Sequence, residues 1–518
     1  MSGLSGRLRV ILLLLHLPCL AQAGDGTPGI AALDWAVLIV YLLTLVGIGL
    51  YFARRDDSTE DYFVAGRTMP WWAAGVSIFG TQLSAITFLA VPAKAFSADW
   101  VYFLVNMTII MVAPLVVYVY LPFLRGSGVT SAYEYLEKRF SLSVRMFGAL
   151  AFLLFQVGRM GIILYLPAIV LATVTGVDVT LSIVLMGILA TAYTTMGGIR
   201  AVIWTDVSQV VVLVGAALLM VILTALSVEG GLPHIVSVGL AEGKFNMVNW
   251  TWDSSVEALW VVIVGNLFAN LIPYTADQTV VQRYLTTRTD REAASAIWTN
   301  ALLTLPASIL FFGLGTALYV FYQSHPGLLD QSIPIDGIVP LFIVQKLPAG
   351  ISGLALAGVF AASMSSLDSS INSMATVIVT DFSRRLPPGR EEGDLGRARR
   401  LTVLFGVLGT GSALLLASFD IASLLDAFRE VLGLFGGSLA GLFALGILTR
   451  RTGGNAALAG AAASALIVGL VKLLTDLHFF LYAAVGLLSC VAIGYGASFL
   501  FARSTRSLEG LTWSTRIR

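Results

Sequence analysis

Three kinds of residue stand out as chemically capable in an otherwise apolar chain of 518 residues: a run of hydroxyls, two carboxylates and one arginine. The run is AASMSSLDSSINSMAT at 361 to 376. On a helix, Ala362, Ser365, Ser366, Ser369 and Ser373 fall along one stripe with Asp368 and Asn372 at its border, so several oxygens point into one region. Sodium is a hard cation and takes oxygen ligands. Hydroxyls of this stripe and backbone carbonyls of an unwound segment, such as those of Gly80 and Leu83, are able to complete a small cage for it. Helix packing through small residues is the competing reading of a serine run by itself.

The carboxylates weigh against packing alone. An acid at the bilayer centre costs roughly 2.5 to 3.5 kcal/mol and is normally retained for a partner or a role. Asp368 lies within the stripe, and Asp206 sits in a second polar cluster with Thr205, Ser208 and Gln209, about two turns from Arg200. Two carboxylates close together in a low dielectric repel, so one takes a proton or both hold a cation between them. Arg159 is the third charge, near the middle of a long apolar stretch where it cannot snorkel to either surface. Its planar fork suits two-point capture of an anionic substrate. The alternative is a structural ion pair with Asp206 or Asp368.

Enzymatic patterns are missing. There is no phosphate loop, no H-E-x-x-H and no G-x-S-x-G, and His16, His234, His325 and His478 are never at metal-ligand spacing. The two cysteines, Cys19 and Cys490, give no disulfide framework. A net charge of +1 carries no basic field that would point to nucleic acid.

The elements that must position these residues are membrane helices. Hydrophobic residues make up 57% of the chain and charged residues 12%, about half the charged share of a soluble domain. The excess forms segments of about twenty residues, long enough to cross the hydrocarbon. Thirteen spans are expected, at roughly 33–53, 70–95, 98–123, 143–175, 178–197, 201–227, 254–276, 293–322, 350–382, 401–419, 421–448, 455–475 and 478–501. Residues 1–23 carry Arg7 and Arg9, a short apolar run and Ala21-Gln22-Ala23, the parts of a cleavable signal peptide, and 24–518 form one transmembrane domain.

That signal places the mature N-terminus outside. Alternate loops then hold Arg54 and Arg55, Arg125, Lys138 and Arg139, Arg200, Arg283, Arg288 and Arg291, Arg384 and Arg385, Arg450 and Arg451, and Arg503 and Arg506. This one-sided bias puts the C-terminus in the cytoplasm and the protein in the cell inner membrane. The segment 384–400 reads as a cytoplasmic linker, and the outer loops 229–253 and 323–349 have room for short surface helices. Two spans carry polar interruptions in corresponding places, Gly80 to Thr87 in the second and Gly265, Asn266, Asn270 and Pro273 in the seventh. Five spans apart, they fit an inverted repeat of five plus five helices.

The motifs together resemble the sodium/solute symporter family. They are EDYFVAGRTMPWW at 60–72, TQLSAITFLAVPAKAF at 81–96, RMGIILYLPA at 159–168, YTTMGGIRAVIWTDVSQ at 193–209, DQTVVQRYLTTRTDREA at 277–293 and the serine segment. The resemblance covers roughly 33–500 and implies an all-α, leucine-transporter-like core, with repeats at about 70–227 and 254–448 and broken first helices. It implies Na+ on the carbonyls of Gly80, Leu83 and Ala362 and the hydroxyls of Ser365 and Ser366, and a second site in some members on Ser365, Asp368, Ser369 and Asp206. Asp368 stands where those members carry a hydroxyl, which leaves one or two sodium ions open.

Among the subgroups the chain is similar to the sialic acid symporters. There Ser84, Thr87 and Arg159 correspond to residues that hold the acidic sugar, with Gln82, Tyr102 and Asn106 lining the same pocket. Asn106 stands where a glutamine is expected. The expected function is sodium-coupled import of a small organic anion, sialic acid first, by a monomer in the lipid bilayer. Another monocarboxylate, an amino acid or a sugar is the alternative, and a channel or a solute-sensing receptor is the rival class.

Overall fold

The structure is a computed structural model, which describes residues 31–52, 58–330, 333–382, 392–419, 424–501 and 507–515. Residues 1–23 and residues 384–391 of the linker lie outside them, and the rest of the linker opens a helix, Glu392–Leu416. Among the described residues the regular structure is helical, with one isolated β-bridge, Met69 to Thr287.

Among the described residues nine helices are long and apolar enough to cross a membrane, and two helix pairs bent at short breaks bring the number to eleven. The 49-residue helix Val179–Ser227 is about 74 Å long at 1.5 Å per residue, more than twice the hydrocarbon thickness. It turns at Gly198 (φ 52°, ψ −160°), a conformation that essentially only glycine adopts, so it supplies the fifth and sixth spans. With Leu424–Leu448 the total reaches the thirteen expected from hydropathy. The loops 229–253 and 323–349 hold the short helices Gly231–Ala241 and Ile338–Lys346.

The two bent pairs occupy the second and seventh spans. The second runs Trp71–Gln82, breaks, and resumes as Ala85–Ser97 at 57°. At the break Leu83 (φ −84°, ψ 78°) and Ser84 (φ −86°, ψ 175°) leave the helical region, which frees carbonyls of the preceding turn. A Cβ on Gly80 would come 2.8 Å from Val210 Cγ2, so glycine there lets the second span approach the sixth.

In the seventh span the break lies further along than the sequence implied. Gly265 and Asn266 sit inside a helix, Leu259–Ala269, followed by the single turn Leu271–Thr275. The bend of 55° comes after Thr275, where Asp277 caps a second half, Gln278–Leu285. Gly265 serves packing instead: a Cβ there would meet the Phe480 carbonyl oxygen at 2.5 Å. Arg283 therefore belongs to the second half of the seventh span and is fully buried, not in a loop. Arg139 is likewise buried, because its guanidinium donates to the carbonyls of Gly446, Thr449 and Thr452 at the end of the eleventh span.

The ninth span, Ile351–Phe382, is the central post of the bundle. In its most apolar window 89% of the residues are buried, against 33% for Val179–Ser227. It packs along the sixth, fourth and first spans and against both halves of the second. Its serines thus face protein on all sides, and each hydroxyl needs an internal partner.

Candidate functional site

The serine stripe meets the break of the second span. Ser365 Oγ donates to the Gly80 carbonyl at 3.0 Å and lies 3.3 Å from that of Ala362, and Ser366 Oγ donates to the Thr81 carbonyl at 3.0 Å. Gly80, Ala362 and Ser365 are therefore together, and Ser366 joins through Thr81. Leu83 forms the break itself. These donors are neutral hydroxyl and carbonyl oxygens on two elements, the set a hard monovalent cation takes, and rotating the hydroxyl protons away opens their lone pairs to it.

Arg159 stands in the fourth span, Leu142–Thr175, buried beside the same break. Its Nη2 donates to the Thr81 carbonyl at 3.0 Å, so one backbone oxygen receives both Arg159 and Ser366. Its Nη1 pairs with Asp277 Oδ2 at 3.2 Å. The ion-pair partner is thus neither Asp206 nor Asp368, as the alternative reading had it, but a carboxylate at the other broken helix. Arg159 Nε is buried and has no partner among the described residues.

The arginine opens onto a cavity of about 150 Å³, lined also by Gln82, Ser84, Thr87, Asn106 and Asn270. A second cavity of about 100 Å³ shares Gln82, Thr87, Asn106 and Asn270 and reaches Ser308. Five of the six expected substrate residues therefore line one space. Asn106 Nδ2 donates to Ser308 Oγ at 3.0 Å, and Gln82 Nε2 to the Tyr274 hydroxyl at 3.0 Å. Tyr102 is outside the lining, one turn before Asn106 on the same helix, with its ring 5.2 Å from that of Phe480 and Lys94 Nζ 4.6 Å from its centroid.

The two aspartates lie behind the main cluster, and Asp206 sits between the half-helices Trp71–Gln82 and Gln278–Leu285. Asp206 Oδ2 accepts from Ser77 Oγ at 2.5 Å and from Arg283 Nη2 at 2.9 Å. Arg283 also donates to Ser369 Oγ, to Ser77 Oγ at 2.7 Å and to the Thr279 carbonyl at 2.5 Å. Asp368 Oδ2 accepts from the Tyr193 hydroxyl at 3.0 Å. A fixed guanidinium therefore neutralises Asp206 and touches Ser369, in the place read as a shared cation site. Asp206 Oδ1 and both polar atoms of the Gln209 side chain, all buried, lack partners among the described residues.

Sequence reasoning missed Asp277, Arg283 and Asn270 as parts of this region, although all three were in view. Asp277 opens the motif DQTVVQRYL, and an aspartate before a short run with helical spacing is a helix-capping signal. Asn270 appeared only as a polar interruption. It lines both cavities and donates to Thr108 Oγ1 at 2.6 Å.

Comparison with known proteins bears on the whole chain. The profile of the sodium:solute symporter family matches residues 62–464. The chain is 40% identical over 481 residues to the sodium/sialic acid symporter NanT of Aliivibrio fischeri, spanning 92% of this chain and 95% of that protein. It is 40% identical over 473 residues to the sodium/sialic acid symporter SiaT of Proteus mirabilis, spanning 91% and 95%. Its structure matches the substrate-bound, outward-open state of a Na+-coupled sialic acid symporter with a TM-score of 0.87 and 39% identity, covering 92% of this chain and 100% of that one. A match that runs from the approach to the second span into the twelfth, over broken helices that gather hydroxyls and carbonyls, shows that the chain belongs to the sodium:solute symporter family.

Proposed function

We propose that this protein is a sodium-driven symporter that imports sialic acid by alternating access. The observation that carries the reading is Arg159: a buried guanidinium with an unpartnered Nε, facing a polar-rimmed cavity and joined through the Thr81 carbonyl to Ser366. The similarity to two sialic acid symporters over nearly their full length supports the choice of substrate. The carboxylate of the sugar acid takes the Nε edge of Arg159, and Ser84, Thr87, Gln82 and Asn106 receive its hydroxyl and amide groups. Tyr102 contributes from the layer above, as part of the outer closure with Phe480.

Sodium takes the oxygens of Gly80, Leu83, Ala362, Ser365 and Ser366. Ser366 shares Thr81 with Arg159, so an ion on the serine stiffens the break that positions the arginine, a direct route for coupling. A second cation site on Asp206, Asp368, Ser365 and Ser369 uses the unpartnered Asp206 Oδ1 and shares Ser369 with Arg283. The repeats at about 70–227 and 254–448 rock against each other around these sites. The protein works as a monomer in the cell inner membrane, with its signal peptide removed, its N-terminus periplasmic and its C-terminus cytoplasmic.

The test is uptake of labelled N-acetylneuraminate into proteoliposomes under an inward sodium gradient, with lactate, proline and glucose as competitors. Saturable, sodium-dependent uptake with counterflow is expected; flux without saturation indicates a channel, and binding without flux a sensor. Arg159→Lys keeps the charge and loses the planar fork, so the Kd should rise at least about tenfold, with sodium binding retained. A folded Lys variant with wild-type affinity refutes the anchor.

A further inference from the structure

Arg159 does not wait for an anion uncompensated, and the way it is compensated separates the two oxygens of one carboxylate. Asp277 lies at the break of the seventh span, 4% exposed. Its Oδ1 accepts from the Thr279 amide at 2.9 Å, from Thr279 Oγ1 at 2.7 Å and from Gln156 Nε2 at 3.1 Å. Those bonds cap the second half-helix and are structural. Its Oδ2 faces Arg159 Nη1 at 3.2 Å. Asp277 and Arg159 line the same cavity, so an arriving carboxylate on the Nε edge becomes the second acid on one guanidinium.

We propose that Asp277 is a specificity-determining residue, a built-in counter-carboxylate that lowers the affinity of the Arg159 site for every anion. This inference rests on the reading of Arg159 as the anion anchor. A bare inorganic anion such as chloride offers nothing beyond its charge, and the repulsion from Asp277 keeps it out. An organic acid that also reaches Ser84, Thr87 and Asn106 gains enough from those bonds to bind, and the same repulsion speeds its departure on the cytoplasmic side. In the substrate-free carrier the pair closes the break of the seventh span onto the fourth span. Substrate binding shares the arginine between two acids and weakens that link, which loosens the half-helix as the site fills.

Asparagine caps helices as well as aspartate does, so Asp277→Asn keeps the Oδ1 bonds and replaces the charged acceptor facing Arg159 with a neutral amide NH2 group. The expected result is a sialic acid Kd about tenfold or more lower, the order one like charge produces at an effective dielectric of about 20, with KM and kcat both reduced because release slows. Chloride in place of gluconate should weaken substrate binding to the variant and raise its unfolding temperature, and leave the wild type unchanged in both measurements. Substrate affinity equal to or weaker than wild type, together with no response to chloride, overturns the proposal. Asp277→Ser also caps and also removes the charge, and carries the same expectation if the Asn variant does not fold; failure of both to fold assigns Asp277 to structure alone and also overturns it. Wild-type protein that binds no sialic acid in sodium refutes the substrate reading instead, and the chloride response of the unfolding temperature still decides the role of Asp277.

Discussion

Replacing Ser365 with alanine isolates the sodium site from the rest of the serine stripe. The hydroxyl touches both the Gly80 and the Ala362 carbonyls, at 3.0 and 3.3 Å, so its loss removes one ligand and loosens two others. A polar contact to a charged partner is worth about 1.5 to 3 kcal/mol. At about 1.4 kcal/mol per decade, the sodium midpoint should rise between roughly tenfold and a hundredfold. Ser373 provides the control on the same helix: equally buried, it donates to Gln282 Oε1 at 3.1 Å, away from the break, and its alanine variant should keep the midpoint within about twofold. The assay is a sodium titration of unfolding temperature in detergent, with choline holding ionic strength constant, repeated on substrate binding. Equal midpoints for Ser365→Ala and wild type, or equal shifts for Ser365→Ala and Ser373→Ala, refute the assignment.

The buried pair Asp206 and Arg283, both 0% exposed, should behave as a unit. Asp206→Asn and Arg283→Met should each cost about 3 to 5 kcal/mol by stranding the other charge, and the double variant clearly less than their sum; additive losses in thermal unfolding would count against the pairing. Asp368→Ala should lower the sodium Hill coefficient and the charge moved per substrate in proteoliposome currents if Asp368 serves a second cation. A wild-type ratio of one sodium that this variant leaves unchanged removes that site.

Much of the frame was legible in the residues taken in order. Hydropathy depends on neighbours along the chain, so it located the spans. The break of the second span was visible because Gly80 to Thr87 concentrates small and polar residues where a helix needs apolar ones, and the 361–376 stripe because helical spacing brings hydroxyls to one face. The same local logic misread the seventh span. It counted Gly265 in the interruption of the span, although the glycine is there to admit the Phe480 carbonyl, and it assigned Arg283 to a loop because charge within a sequence usually means water.

What the tertiary structure alone decided is the pairing of charges. Arg159 meets a carboxylate 118 positions away and Arg283 meets one 77 positions away. Neither partner follows from spacing, because in a low dielectric the ion pair is chosen by which helices the packing brings within about 3 Å. The seam formed by the two broken spans and the fourth and ninth spans gives Asp277 to Arg159, leaves Tyr102 outside the cavity lining, and hands a single Thr81 carbonyl to both the arginine and the sodium-site serine. Which oxygens lie within reach of one another depends on how helices distant in sequence cross, and no periodicity within one helix encodes it.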